Sequence, residues 1–304
     1  MKILVTGGAG YVGTVLLPQL LEKGYRIRVL DNLLFRGDQL LQYVSNPSFE
    51  FQKGDIRNIQ DVKTAVKDVD AVIHLAAIVG YPACRMNSRL AHETNVQGTR
   101  NIIQATSAQQ VIIFSSTGSN YGEVDEICTE ETPLKPLSIY AETKTLAEQM
   151  LLDDGACIVC RFATGFGPAP RLRLDLLIND FTYKAFTQEY LVVYEKVFKR
   201  TFIHVHDMGR AFVFALENQD AMKGQVFNVG SDKLNYSKEA VCELIKKHIP
   251  VYIHYAEIGA DADKRNYIVS YEKINRMGFE TILTVDQGIQ ELIRAFAMVD
   301  MKTA

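Results

Sequence analysis

The sequence predicts an α/β fold, a doubly wound parallel sheet carrying a second, smaller α/β lobe. Three observations predict it. Short apolar runs alternate with amphipathic stretches through the first half, a glycine-rich turn joins the first run to the first amphipathic stretch, and the rhythm breaks after Gly165.

The apolar runs Ile3 to Thr6, Arg26 to Asp31, Phe49 to Lys53, Ala71 to Ala76, Val111 to Ser115 and Cys157 to Phe162 read as buried strands. Between them, Val12 to Lys23 and Asp61 to Val69 have helical spacing, so the strands connect by right-handed parallel crossovers. Gly165, Gly167, Pro168 and Pro170 then cluster ahead of a helix expected from Leu174 to Phe186, where a second lobe begins. Beyond it the pattern predicts a strand from Arg200 to Val205, a helix from Met208 to Glu217 and a strand from Gln225 to Val229 that returns to the main sheet.

Composition narrows the function. Of 304 residues, 47% are hydrophobic and 23% charged, which excludes a disordered chain. Thirty-three Lys and Arg against 36 Asp and Glu leave a formal net charge of −3, so there is no positive field for nucleic acid. The five cysteines are too scattered for a disulfide framework, which points to a reducing cytoplasm. The apolar run after Lys2 is too short for a signal peptide, and charges interrupt every window of the ~18 apolar residues a membrane helix needs. A soluble, intracellular protein without a membrane partner is the expectation.

The chemistry begins at Gly7, Gly10 and Gly13, which lie between the first strand and the first helix. Such a turn lets the backbone approach a pyrophosphate, and free amides at the helix start favour its charge. The alternative is a turn that only connects. Asp31 ends the second strand, eighteen residues past Gly13, where a carboxylate accepts hydrogen bonds from an adenosine ribose and disfavours a 2′-phosphate. This favours NAD over NADP, although Arg36 nearby could partly offset the charge against a 2′-phosphate. Asp55 suits either the adenine edge or a helix cap.

Tyr140 and Lys144 stand four residues apart on one helix face, and the strand from Val111 delivers Ser115, Ser116 and Thr117 to the carboxyl end of the sheet. A phenol, an ammonium and a hydroxyl converging there suit alcohol oxidation. The phenolate removes the hydroxyl proton while hydride leaves the same carbon, Lys144 lowers the phenol pKa, and Thr117 orients the substrate oxygen.

Other candidates weigh toward structure. His204 and His206 alternate along the expected strand with no carboxylate or cysteine at ligand spacing, so no metal is expected. Cys157 and Cys160 form a C-x-x-C inside an apolar strand, away from any helix start, and read as core.

Together, TGGAGYVG at 6–13, Asp31, LAA at 75–77, Asn95, SST at 115–117 and Tyr140 with Lys144 resemble the extended short-chain dehydrogenase/reductases of the nucleotide-sugar epimerase and dehydratase group. The match runs over nearly the whole chain. The resemblance implies a Rossmann-type NAD-binding domain at 1–165 plus 203–232 and a nucleotide-sugar lobe at 166–202 plus 233–304. It assigns Gly7, Gly10, Tyr11, Val12, Asp31, Asn32, Asp55, Ile56, Leu75, Ala76, Ala77, Asn95, Ser115, Tyr140 and Lys144 to NAD, and Thr117, Tyr140 and Lys144 to catalysis. Arg200, in RTFIHVHD, resembles the family's arginine that meets the substrate pyrophosphate, and Arg265 resembles a second; guanidinium forks match phosphate oxygens. Arg171 and Arg173 suit the same cleft or a solvated loop.

Departures matter too. The family's 4,6-dehydratases carry Asp and Glu after the hydroxyl residue; here Gly118 and Ser119 follow Thr117, which disfavours dehydration. Thr164 replaces an asparagine common at this substrate position in epimerases. RLRLDLLINDF at 171–181 and IHYAEIG at 253–259 resemble a branch that oxidises carbon 4 of GDP-manno-heptose. The implied function is oxidation of carbon 4 of a nucleotide-diphosphate sugar, followed by epimerisation or by release of the 4-keto sugar. A 4-keto reductase and a non-catalytic NAD redox sensor remain the alternatives. A homodimer is expected through the helix bearing Tyr140 and its neighbour at 94–104, with Ile102, Ile103, Leu146 and Met150 as candidate contacts.

Overall fold

A computed structural model describes residues 1–257 and 266–299. Seven strands, β1 (Lys2–Thr6), β2 (Arg26–Asp31), β3 (Phe49–Lys53), β4 (Ala71–His74), β5 (Val111–Thr117), β6 (Cys157–Phe162) and β7 (Gln225–Val229), form one parallel sheet. Their spatial order is β7-β6-β5-β4-β1-β2-β3. The winding reverses between β1 and β4, where Ile3 pairs with Ile27 on one side and Ala71 on the other. Ligands of such sheets collect in the crevice at that reversal, beyond the carboxyl ends of the strands. Thr6, Asp31, His74 and Thr117 end their strands around it.

Alternation along the strands loads both faces. Ile3 and Val5 pack with Leu16, Leu20 and Phe212, whereas Leu4 packs with Val62, Ile102, Ala147 and Leu151 on the opposite side. A separate apolar core, including Phe166, Ile178, Leu191, Phe202, Ile289 and Phe296, builds a smaller lobe. Within it strand Tyr190–Tyr194 buries Leu191 and Val193 and pairs in parallel with Tyr252–Ala256.

Several boundaries differ from the sequence reading, each for a local reason. The fourth strand stops at His74, because residues 75–77 turn so that Leu75 N–H reaches Thr6 O at 3.1 Å and Ala76 N–H reaches Thr6 Oγ1 at 3.3 Å. Helix Ile59–Ala65 is shorter than expected and is capped by Asn58, whose side chain accepts from Gln60 N–H; Asp55 is therefore not its cap. The segment around 94–104 is a π-helical turn, Glu93–Gly98, followed by helix Thr99–Ala105. Helix Leu177–Gln188 starts later than the spacing indicated. His204 ends strand Lys199–His204 and caps helix Val205–Glu217, so His206 lies in the helix and the two imidazoles do not share a strand face.

Ile113 sits fully buried in β5, at the middle of the sheet. Ile113→Ala is expected to lower the unfolding free energy by about 2–5 kcal/mol in urea titrations, whereas Leu41→Ala at an exposed position costs less than about 0.5 kcal/mol. Equal losses would contradict this placement of the core.

Candidate active site

The glycine turn is packed back to back with the turn after β4. Gly7 has a left-handed φ of 72°, and a Cβ there would stand 2.7 Å from Ala76 N. A Cβ on Gly13 would collide with the Gly8 backbone at 2.5–2.7 Å. Gly10 differs: its Cβ would meet only Gly7 O, at 3.0 Å, and so would project into the groove. That open cradle in front of helix Gly13–Glu22, which Val12 precedes as cap residue, fits a dinucleotide pyrophosphate. Tyr11 turns the other way, buried, with its hydroxyl donating to Gly167 O at 2.7 Å.

At the adenosine end, the Asp31 carboxylate accepts from Ala9 N–H at 3.0 Å and from Leu33 N–H at 2.8 Å. Burial raises its pKa, against those two bonds. Asn32 Nδ2 donates to Asp55 Oδ2 at 3.1 Å. The Arg57 guanidinium engages both oxygens of Asp55 at 3.0 and 2.7 Å and holds that carboxyl at about 2. Ile56 packs beneath, where a Cβ on Gly98 would collide with it at 2.5 Å.

A buried relay then links the two sides of the crevice. Thr99 Oγ1 donates to Asn95 O at 2.6 Å, so it accepts from His74 Nε2 at 3.1 Å, and His74 Nδ1 in turn accepts from Thr6 Oγ1 at 2.7 Å. This arrangement needs a neutral imidazole, and burial lowers the His74 pKa to about 3. The Asn95 side chain, presented by the π-helical turn, exchanges bonds with Ile78 N–H and O at 2.8 and 3.0 Å and donates to Thr143 Oγ1 at 2.9 Å. The turn after Leu75, Ala76 and Ala77 is thereby pinned to the helix that carries Tyr140.

That helix, Ile139–Asp154, is capped by Ser138 and packs on β5. Lys144 is almost wholly buried, with Nζ 3.9 Å from the centroid of the Phe114 ring. Burial pushes its pKa down to about 7, while Glu148 and Cys84 pull it back upward. Three residues beyond Phe114, Thr117 Oγ1 accepts from Ser119 N–H at 3.1 Å and donates to Ser119 Oγ at 3.1 Å. Ser115 pairs with Cys160 in the sheet, and Ser116 donates to Glu148 at 2.5 Å. Arg161 grips the same carboxylate at 2.5 and 3.0 Å and donates to Tyr121 at 3.0 Å. The sequence reading missed this Ser116–Glu148–Arg161 network; its signal is an arginine inside an otherwise apolar strand.

From the second lobe, Arg173 binds Asp175 in bidentate fashion at 2.5 and 3.0 Å. Burial works against its charge, but Asp175 and the phenols of Tyr140 and Tyr11 outweigh it and raise the pKa. Thr164 Oγ1 is buried with no hydrogen-bond partner among the described residues, an unfilled polar position of the kind a ligand completes. Arg200 is buried in strand Lys199–His204, opposite Tyr236. Arg265 lies outside the described residues. Cys157 and Cys160 are buried in β6, and burial pushes both thiols up to about 12.

The buried Lys144 makes a stability prediction. Unfolded, a lysine keeps its proton to about pH 10.4, so between about 7 and 10 the unfolded chain binds the extra proton and stability rises with pH. At pH 7 and below, the folded dinucleotide-free protein carries the full cost of the buried ammonium. Lys144→Met is therefore expected to raise the thermal midpoint of dinucleotide-free protein by a few degrees at pH 7, with the gain shrinking toward pH 10. A lower midpoint at pH 7 contradicts the reading.

Residues 3–230 match the NAD dependent epimerase/dehydratase family. The chain is 30% identical to the low-salt glycan biosynthesis protein Agl12 of Haloferax volcanii, over 96% of this chain and 97% of that one. It is also 30% identical to UDP-glucose 4-epimerase 1 of Oryza sativa, over 82% of each. Among solved structures, dTDP-glucose 4,6-dehydratase from Bacillus anthracis in complex with NAD superposes with a TM-score of 0.86 at 27% identity, covering 99% of this chain and 97% of that one. With a cradle that fits a dinucleotide and a family match over most of its length, the chain belongs to the NAD dependent epimerase/dehydratase family and is an NAD-dependent enzyme.

Proposed function

We propose that the protein oxidises carbon 4 of a nucleotide-diphosphate sugar and returns the hydride to the opposite face, a 4-epimerisation. The observation that carries this reading is the Tyr140–Lys144 face of helix Ile139–Asp154, with its ammonium buried against Phe114 on the strand that ends in Thr117. NAD, when bound, supplies the acceptor for the hydride leaving carbon 4. Gly7, Gly10, Val12, Asp31, Asn32, Asp55, Ile56, Leu75, Ala76, Ala77, Asn95 and Ser115 hold the dinucleotide in this reading, with Tyr11 contributing its backbone while its side chain faces Gly167.

Thr117 holds the sugar hydroxyl through its oxygen, and Tyr140 removes the hydroxyl proton as the carbon–hydrogen bond breaks, leaving a ketone. Lys144 favours the phenolate by its charge, which burial leaves unscreened. Thr164, Arg173, Arg200 and Arg265 contact the nucleotide sugar, with the arginines suited to its diphosphate. The cofactor occupies the domain 1–165 plus 203–232, and the sugar nucleotide sits against 166–202 plus 233–304. When the ketone turns over and takes hydride on its other face, Tyr140 returns the proton.

Release of the 4-keto sugar, a 4-dehydrogenase outcome, is the second reading, and the resemblance of 171–181 to the heptose-oxidising branch favours it. Dehydration lacks support, because Gly118 and Ser119 offer no carboxyl group to move protons. The proposal places the protein in the cytoplasm, supported by five unpaired cysteines and, among the described residues, by the lack of any helix long and apolar enough to cross a membrane. It also includes a homodimer through helix Ile139–Asp154. Leu146 is exposed there and supports it, whereas Ile102 faces its own core.

Incubation with a panel of nucleotide sugars, following absorbance of reduced cofactor and product stereochemistry, tests the reaction. Inverted sugar without net reduction is expected; net reduction with keto sugar supports the second reading. Tyr140→Phe is expected to lose at least about a hundredfold in turnover while binding NAD normally. Unchanged turnover in that variant, or no conversion of any sugar by the wild type, overturns the reading. Sedimentation is expected to give a dimer that Leu146→Glu dissociates, and a wild-type monomer contradicts that part.

A further inference from the structure

The stretch 167–175 of the smaller lobe touches the larger domain at three places. Gly167 O accepts from Tyr11 on the glycine turn. Asp175 Oδ2 and Arg173 Nη2 lie 3.3 and 3.4 Å from where a Cβ on Gly80 would stand, close beside the loop after β4. At the third place the Arg171 guanidinium carbon lies 4.0 Å from the centroid of the Phe35 ring.

Phe35 stands four residues beyond Asp31, on the loop after β2, and is 52% exposed. The Arg171 guanidinium stacks on the ring of this exposed residue. Asp31 sets the shape of this loop: its Oδ1 accepts from Leu33 N–H, Leu33 adopts a left-handed φ of 61°, and Leu33 O accepts from Arg36 N–H at 3.1 Å. A non-glycine residue held in that backbone region is strained and persists only where neighbours hold it. The carboxylate read as the ribose acceptor thus also fixes the arm that reaches Arg171.

We propose that Phe35 and Arg171 form a clasp over the adenosine half of the bound dinucleotide and set how long the cofactor stays. The clasp rests on the reading of Asp31 as the adenosine-ribose acceptor. It deepens the proposed function, because an epimerase must keep the reduced cofactor until the ketone takes its hydride back, whereas a dehydrogenase must let it go. Ring and guanidinium attract through the ring quadrupole, and the pair joins the smaller lobe to the loop after β2.

The test loads the protein with NADH, chases it with excess NAD and follows the loss of NADH fluorescence. Phe35→Ala and Arg171→Ala are each expected to speed release about three- to tenfold, the double variant no more than either single one, and Phe35→Tyr less than about twofold. Release by both single variants within about twofold of wild type, or a double variant whose acceleration is the product of the two, overturns the clasp. The chase uses no sugar, so a failure of the carbon-4 reading leaves its result intact. Unaltered release in variants that still convert sugar overturns the clasp alone.

Discussion

The site depends on an ammonium placed where water is excluded. Lys144 is held between helix Ile139–Asp154 and β5 with the face of Phe114 as its neighbour, and burial lowers its pKa to about 7. Such a charge is costly by itself, and the same dryness makes its field strong at a neighbouring phenol. The i, i+4 spacing puts the phenol of Tyr140 one turn away, and the sequence could not have separated those two residues without losing that geometry.

Two buried polar assemblies keep helix and sheet in register around that charge. On one side, Glu148 is shared by Ser116 of β5 and Arg161 of β6, so one carboxylate ties the helix to two adjacent strands. A buried ion pair of this kind adds little net stability, but removing either partner strands the other charge, which makes the arrangement specific. On the other side, the relay from Thr6 through His74 and Thr99 reaches Asn95, whose amide holds both Ile78 and Thr143. The turn after β4 and the helix that carries Tyr140 consequently meet at one asparagine, and the π-helical turn is the local irregularity that presents it. The smaller lobe adds Arg173, whose ion pair with Asp175 lies beside Gly80 on the loop after β4.

Most of the sheet was legible in the sequence because its central strands are apolar runs, whereas Phe49–Lys53, read as buried, is an edge strand with Glu50, Phe51 and Lys53 exposed and no buried residue. The glycine turn and the Tyr140–Lys144 pair were legible for a related reason: their chemistry lies in short spacings along one element. What escaped involves residues from different elements. Glu148 and Arg161 are thirteen residues apart, one on a helix and one on a strand, and their pairing follows from how those elements pack. Phe35 and Arg171 come from different lobes, so no local pattern connects them. The expected strand face shared by His204 and His206 failed because the strand ends at His204, whose own side chain accepts from His206 N–H and starts the helix. Backbone capping overrode a two-residue alternation there.

A crystal structure of the protein with NAD bound tests the central claim most directly. The account predicts the nicotinamide ring beside the Tyr140 phenol, with the Lys144 ammonium in contact with the dinucleotide. A nicotinamide lying away from that phenol, or a Lys144 ammonium without contact to the dinucleotide, would contradict it.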